Sequence, residues 1–494
     1  MGKKNRVFSS FIWRFLERCG AQGVTFIVSI ILARLLDPAV YGTVALVSVF
    51  TVILGVFVDS GLGSALIQKK DADNLDFSTV FYFNIAACTL LYIVVFFVAP
   101  FIASFYEKPE LTPLVRVVSI TLIISGVKNI QQAYVSRHML FKRFFFATLG
   151  GTIGAAIIGI WMAYKGYGVW ALVTQNLFNQ FVDTVILWIT VKWRPAKGFS
   201  FNRLKELFSF GWKMLVSSLL DKSYNEFRQL IIGKLYTSED LAFYNKGSKL
   251  PGMIVTNVNS SIDSVLFPAM SSEQNDCDRV RAMTRRAIKT SSFIMMPLMM
   301  GLAVCAEPLI RLVLTEKWLP AVFFLRIFCF SYAFFTIHTS NLNAIKSMGR
   351  SDLFLKLEIL KKVVGLIALL STMFISVKAM ALVLPFTSIV NQVINAWPNK
   401  KLLNYSYIDQ VKDMFPQILL SVAMGISVYC VTFIGLNDIL TLVIQVPLGV
   451  LIYVGGAMLF HIDSFDYLIE AAKRYLEKDK KNAERENDET KTDK

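Results

Sequence analysis

The chain has 494 residues, of which 55% are hydrophobic and only 17% charged, and it carries a net charge of +16 with a mean hydropathy of +0.53. A soluble domain of this length needs more charge to cover its surface, which excludes a soluble enzyme as the main body of the molecule. Apolar runs of about twenty residues recur from end to end, long enough to cross a ~30 Å hydrocarbon core as helices. Continuous runs rather than short alternating segments exclude a β-barrel.

The fold class is therefore all-α and polytopic, with about fourteen transmembrane helices. They are expected near residues 9–36, 41–65, 77–105, 114–136, 144–164, 169–191, 209–235, 247–270, 287–306, 320–344, 353–376, 379–398, 415–435 and 438–461. The basic start leads into the first span without a small-residue cleavage motif, so no removable signal peptide is expected. The connectors near 192–208 and 271–286 are the longest inside the chain. After His461 a short amphipathic stretch, Phe465 to Leu476, precedes a charged tail that is expected to be partly disordered.

The first two spans are echoed by the seventh and eighth. Leu32-Ala33-Arg34-Leu35 returns as Ile232-Gly233-Lys234-Leu235, and the segment from Asp59 to Leu66 returns as Asp263 to Met270. In the loops that follow, Gln68, Asp71 and Asp73 match Gln274, Asp276 and Asp278. Six spans separate the copies, so both halves face the same way. Two parallel six-helix lobes result, 1–200 and 201–402, followed by two C-terminal helices in 403–462 and a cytoplasmic tail, 463–494.

Lys and Arg concentrate in the loops after even-numbered spans, as in Arg137, Lys142 and Arg143, or Arg279, Arg281, Arg285, Arg286 and Lys289. The basic N-terminus lies on the same side, which places both termini in the cytoplasm. This asymmetry and attraction to anionic headgroups account for the net charge, so no nucleic-acid partner is needed.

No phosphate-binding G-x-x-x-x-G-K-[ST] loop, G-x-S-x-G elbow or H-E-x-x-H helix occurs, and no cofactor is implied. The six cysteines and three histidines are scattered singly, without metal-ligand spacing. Asp71-Ala72-Asp73 and Asp276-Cys277-Asp278 have the form of a metal clamp, yet their equivalence within the repeat favours a shared turn or gate role.

Polar residues inside spans carry the information, because an intramembrane charge needs a partner or a watery cavity. Span 1 has Arg14 and Arg18, span 4 has Lys128, and span 11 has Lys356, Glu358, Lys361 and Lys362. Span 7 is the richest, with Lys213, Asp221, Lys222, Asn225, Glu226, Arg228 and Gln229. The expected substrate-binding set is a cationic cavity of Lys213, Lys222, Arg228, Lys128, Arg18 and Arg14, with Asp221, Asn225 and Glu226 as polar or ion-pairing neighbours. Lys and Arg suit phosphate or pyrophosphate through several charge-assisted hydrogen bonds. The competing reading is interfacial snorkelling for Arg14 and Arg18 and an internal ion pair for Lys222 with Glu226. Arg34 and Lys234, at equivalent outer ends, and Asp59 and Asp263, at equivalent cytoplasmic ends, are expected to make gate or packing contacts.

The string from Ile31 to Gly42, with Asp37-Pro38-Ala39-Val40-Tyr41-Gly42, then Val58 to Gln68, resembles the polysaccharide transporter (Wzx-like, colanic-acid-exporter-like) branch of the MOP flippase superfamily. Tyr244 to Pro251, Leu266 to Ser271, Pro308-Leu309-Ile310 and Lys317-Trp318 agree with it. The resemblance covers about residues 5–400 and implies two six-helix lobes around a cationic cavity. It implies a flippase that carries undecaprenyl-diphosphate-linked oligosaccharide units across the bacterial inner membrane for capsule, exopolysaccharide or O-antigen synthesis. Its implied partners are that substrate, membrane lipids, and a downstream polymerase and chain-length regulator. The alternatives are a cation-coupled multidrug exporter of the same superfamily, which would want deep acidic residues in the first lobe, and a membrane polysaccharide polymerase or ligase, which would want a large outer loop.

Overall fold

The structure, a computed structural model, describes residues 20–59, 62–69, 71–137, 141–470 and 473. Arg14 and Arg18 lie outside the described residues, as do the side chains of Asp59 and Lys213. The helices in chain order begin with α1 (Gly20–Leu35), α2 (Pro38–Asp59), α3 (Leu62–Gln68), α4 (Asn74–Phe105), α5 (Leu111–Val118), α6 (Ile120–Arg137), α7 (Phe141–Tyr164), α8 (Val169–Thr190) and α9 (Phe201–Leu235). They continue with α10 (Ser238–Ser272), α11 (Cys277–Val304), α12 (Ala306–Leu314), α13 (Pro320–Ala333), α14 (Phe335–Ser347), α15 (Ser351–Thr372), α16 (Val377–Leu402), α17 (Tyr407–Cys430) and α18 (Asp438–Leu459). A short helix follows at 463–470.

Each expected span falls on helix, the first of them only from Gly20 onward. Among the described residues, 9 helices or closely broken helix pairs are long and apolar enough to cross a membrane. The helices α1, α8, α9, α10 and α15 occupy expected spans but fall outside that set, α1 by its described length. The other four carry charged or amide side chains along their length.

The repeat has a local cause at its loops. Asp73 caps α4 by accepting from the Asp76 N–H, and the Asp76 carboxylate accepts in return from the Asp73 N–H. Asp276 caps α11 by accepting from the Asp278 and Arg279 N–H groups. Such caps satisfy backbone donors that a helix start leaves open. The two capping residues are Asp73 and Asp276, so the capping register is two residues offset from the match of Asp71 with Asp276.

By packing, the chain divides into two compact units between Phe243 and Tyr244. The division expected from the repeat falls earlier, at 200/201. The reason is that α9 lies against α2, α3 and α4, and its last turn is tied to the loop after α4. Within the first unit the connections sort to two ends. At one end Arg137 donates to the carbonyls of Leu66 and Lys69, both at 2.6 Å. There also Lys69 pairs with Asp76 at 3.3 Å and Glu206 at 3.1 Å, and Arg203 pairs with Asp73 and Asp76. At the other end Lys234 pairs with Glu107 at 2.8 Å, and Lys108 donates to Ser238 at 2.5 Å. In the second unit, Arg285 with Asp413 and Lys289 with Asp463 mark one end, and Arg311 with Asp438 marks the other. Within each unit, the contacts therefore join loops after even-numbered expected spans at one end and loops after odd-numbered ones at the other, as alternate membrane crossing requires.

Close approach explains two glycines in the strings quoted above. A Cβ on Gly42 would lie 1.6 Å from the Ser238 carbonyl oxygen. One on Gly247 would lie 2.5 Å from the Phe324 Cβ and 2.8 Å from the Leu325 nitrogen. At Gly42 the obstacle is backbone, which cannot rotate away. Gly42→Ala should destabilise by about 1–3 kcal/mol through overpacking. Gly55→Ala on the same helix, where nothing lies within 4 Å, should not. Thermal unfolding of the two variants in detergent checks the contrast.

Candidate functional site

The most polar long helix is α9, and its side chains divide by register. At ~100° per residue, Asp221, Lys222, Asn225, Glu226, Arg228 and Gln229 fall on one arc. Asp221, Lys222 and Asn225 are exposed, and Glu226, Arg228 and Gln229 are half-buried. Trp212, Val216, Leu220 and Phe227 fall on the opposite arc, and they too are exposed. The helix thus offers one open polar face and one open apolar face. Lys213 falls in register with Leu220 and Phe227, away from the polar arc.

Along the polar arc the side chains bond to one another. Asn225 donates to Asp221 at 3.2 Å, and Gln229 donates to Glu226. Glu226 is engaged by an amide, which leaves the ammonium of Lys222 exposed on the arc.

Lys128 is different. It is buried, 8% exposed, and donates to Asp183 of α8 at 3.1 Å and to Gln180. Nothing in the sequence reading singled out Asp183. The acid lies fifty-five residues away, on another helix, where neither periodicity nor motif links it to Lys128. A polar run on α8, with Gln175, Asn179, Gln180 and Asp183 at helical spacing, was the available signal. The first half therefore does hold a deep acid, Asp183, and its carboxylate pairs with the Lys128 ammonium.

The positions expected to make gate or packing contacts divide likewise. Lys234 bonds Glu107 and sits over the Phe105 ring at 5.1 Å. That hydrogen bond holds the Glu107 carboxyl below its usual range. Arg34 is exposed at the equivalent end of α1. Asp263 accepts from Asn343 of α14 at 2.6 Å. In the loop before α4, the hydrogen bond from Arg203 holds the Asp73 carboxyl low, helped by the Asp76 N–H.

The second unit adds a buried amide network. Asn341 and Gln410 bond each other reciprocally at 2.8 and 3.0 Å, and Asn399 donates to the Asn341 oxygen at 2.6 Å. These bonds tie α14, α16 and α17 together as interhelical polar contacts do in lipid. Lys361 is buried and pairs with Glu358 at 2.6 Å. No group of three or more metal-ligating side chains occurs among the described residues.

A family model described as "Polysaccharide biosynthesis protein" matches residues 31–323. The chain belongs to this family. Teichuronic acid biosynthesis protein TuaB of Bacillus subtilis (strain 168) is 26% identical over 420 residues, covering 82% of this chain and 85% of the relative. Succinoglycan biosynthesis transport protein ExoT of Rhizobium meliloti (strain 1021) is 23% identical and covers 68% of each. Among solved structures, lipid II flippase MurJ in an inward closed conformation superposes with a TM-score of 0.75 at 15% identity, over 92% of this chain and 99% of that one. The fold is that of the MOP flippases, and the chain is a member of a polysaccharide-biosynthesis family.

Removing one member of a buried pair is more damaging than replacing both. Lys128→Ala should destabilise by about 3–5 kcal/mol, and Lys128→Met with Asp183→Leu should recover most of that loss. Thermal unfolding checks this. Equal losses in the single and paired variants would show that the two charges do not act as a pair.

Proposed function

We propose that the protein is a flippase for undecaprenyl-diphosphate-linked oligosaccharide repeat units. It carries them from the cytoplasmic to the outer leaflet of the bacterial inner membrane, and a downstream polymerase with its chain-length regulator consumes the product. The moving parts are the repeat-related lobes 1–200 and 201–402, with the helices of 403–462 attached and both termini cytoplasmic. Alternating access between two such lobes opens a path to either side in turn.

The observation that carries this reading is the two open faces of α9. The substrate is an amphiphile, and a helix with one exposed polar face and one exposed apolar face meets both of its parts. Arg228 and Lys222 would receive the diphosphate through charge-assisted hydrogen bonds, while Asp221, Asn225 and Glu226 would offer acceptors and an amide to sugar hydroxyls. Arg14, Arg18 and Lys213 remain in the proposed cationic set. Lys128 joins it only when its pair with Asp183 opens. Arg34, Lys234, Asp59 and Asp263 would act as gate or packing residues, with Lys234–Glu107 as the contact that closes one end. A cation-coupled exporter would use a deep acid to hold its ion, and Asp183 is already occupied by Lys128.

The test is a leaflet assay in proteoliposomes with a fluorescent polyprenyl-diphosphate oligosaccharide. Protein-dependent movement is expected. Arg228→Ala combined with Lys222→Ala should slow it about tenfold, the equivalent of one charge-assisted hydrogen bond, with insertion unchanged. Lys213→Ala should have a smaller effect. Export of organic cations under a proton gradient, without movement of the oligosaccharide lipid, would favour the exporter instead.

A further inference from the structure

Two cavities of the second unit share a wall. The first, of about 640 Å³, is an apolar groove between α10 and α11, lined by Val258, Ile262, Val265, Leu266 and Ile294. The second, of about 470 Å³, lies beside it against the 463–470 helix and is lined by Arg285, Arg286, Lys289 and Asp463. Arg286, Thr290 and Tyr467 border both. An open apolar groove ending in a cationic pocket has the form of an amphiphile site.

The charges of the pocket are unequal in their commitments. Arg285 forms a two-pronged pair with Asp413, at 2.6 and 2.7 Å, and Tyr405 donates to the same carboxylate at 2.8 Å. Lys289 pairs with Asp463 at 2.9 Å. Arg286 lies with its guanidinium 4.9 Å from the centre of the Tyr467 ring, and no carboxylate pairs with it among the described residues. Stacking on an aromatic face leaves the guanidinium N–H edge open to bond phosphate oxygens. The pocket therefore has one surplus positive charge, held at the mouth of the groove.

We propose that this junction binds a phospholipid with a singly charged phosphodiester headgroup, its phosphate on Arg286 and one acyl chain along the α10–α11 groove. Charge decides the occupant. A phosphodiester carries one negative charge and matches the single surplus cation, whereas a polyprenyl diphosphate carries more and would leave charge unmatched. The site shares no lining residue with the polar arc of α9, and a bound lipid would link the 463–470 helix to α10 and α11.

The test is lipid retention by the purified full chain in native mass spectrometry, with dioleoyl phosphatidylglycerol and dioleoyl phosphatidylcholine offered in equal amounts. The wild type should retain the phosphatidylglycerol selectively. Arg286→Ala should weaken that preference about tenfold, and Val265→Trp, which fills the groove, should weaken retention of the same lipid. Arg281→Ala, which removes a cation of the same helix outside the pocket, should leave the preference intact. Equal selectivity in wild type and Arg286→Ala overturns the site, as does an equal loss in Arg281→Ala. Displacement of phosphatidylglycerol by a lower concentration of undecaprenyl diphosphate overturns the singly charged occupant. Retention is read without transport, so failure here leaves the flippase reading to its own assay.

Discussion

A charge inside a bilayer must meet an opposite charge, a polar partner or water, and this requirement orders the interior of the molecule. Lys128 meets Asp183, and Lys361 meets Glu358. The amides of Asn341, Asn399 and Gln410 meet one another. Each of these contacts lies within one unit, and Lys128, Lys361, Asn341, Asn399 and Gln410 are buried there. The charges of α9 are handled differently, since Asp221 and Lys222 are exposed on one face of a helix whose other face is exposed and apolar. Such a helix is stable only at a boundary between lipid and water. A transport path supplies that boundary.

The remainder of the architecture holds this boundary in place. Asp73 and Asp276 start α4 and α11 by capping backbone donors. Arg137 and Arg203 gather the connections at one end of the first unit, and Lys234 fastens α9 to the loop after α4 at the other. The absence of a side chain at Gly42 lets α2 approach the start of α10. The ion pairs lie at the ends or in the interior of the units, where they leave the two faces of α9 uncovered.

Helix positions were legible in the sequence because apolar runs of membrane length have few alternative structures. The turns before α4 and α11 were legible from Asp73 and Asp276, since a short turn constrains its residues strongly. The division into packed units was not, because it depends on where α9 rests rather than on what it resembles. The role of Lys128 was also hidden: its partner, Asp183, is set by how α6 and α8 pack. The polar arc of α9 was visible as a cluster, but its edges came from helical register, which separates Lys213 from Lys222 and Arg228. The phospholipid junction joins α10, α11 and the last described helix, and no local pattern announces a site drawn from three distant segments.

The most direct measurement of the water boundary is thiol accessibility along α9. With the native cysteines replaced by serine, single cysteines at Lys222, Asn225 and Gln229, and at Val216 and Leu220, would be exposed in membranes to a membrane-impermeant maleimide. Reaction depends on the thiolate, which forms in water and not in lipid. Labelling at the first three positions and protection at the last two is the predicted result. Protection at all five, or labelling at all five, would contradict a helix that divides water from lipid.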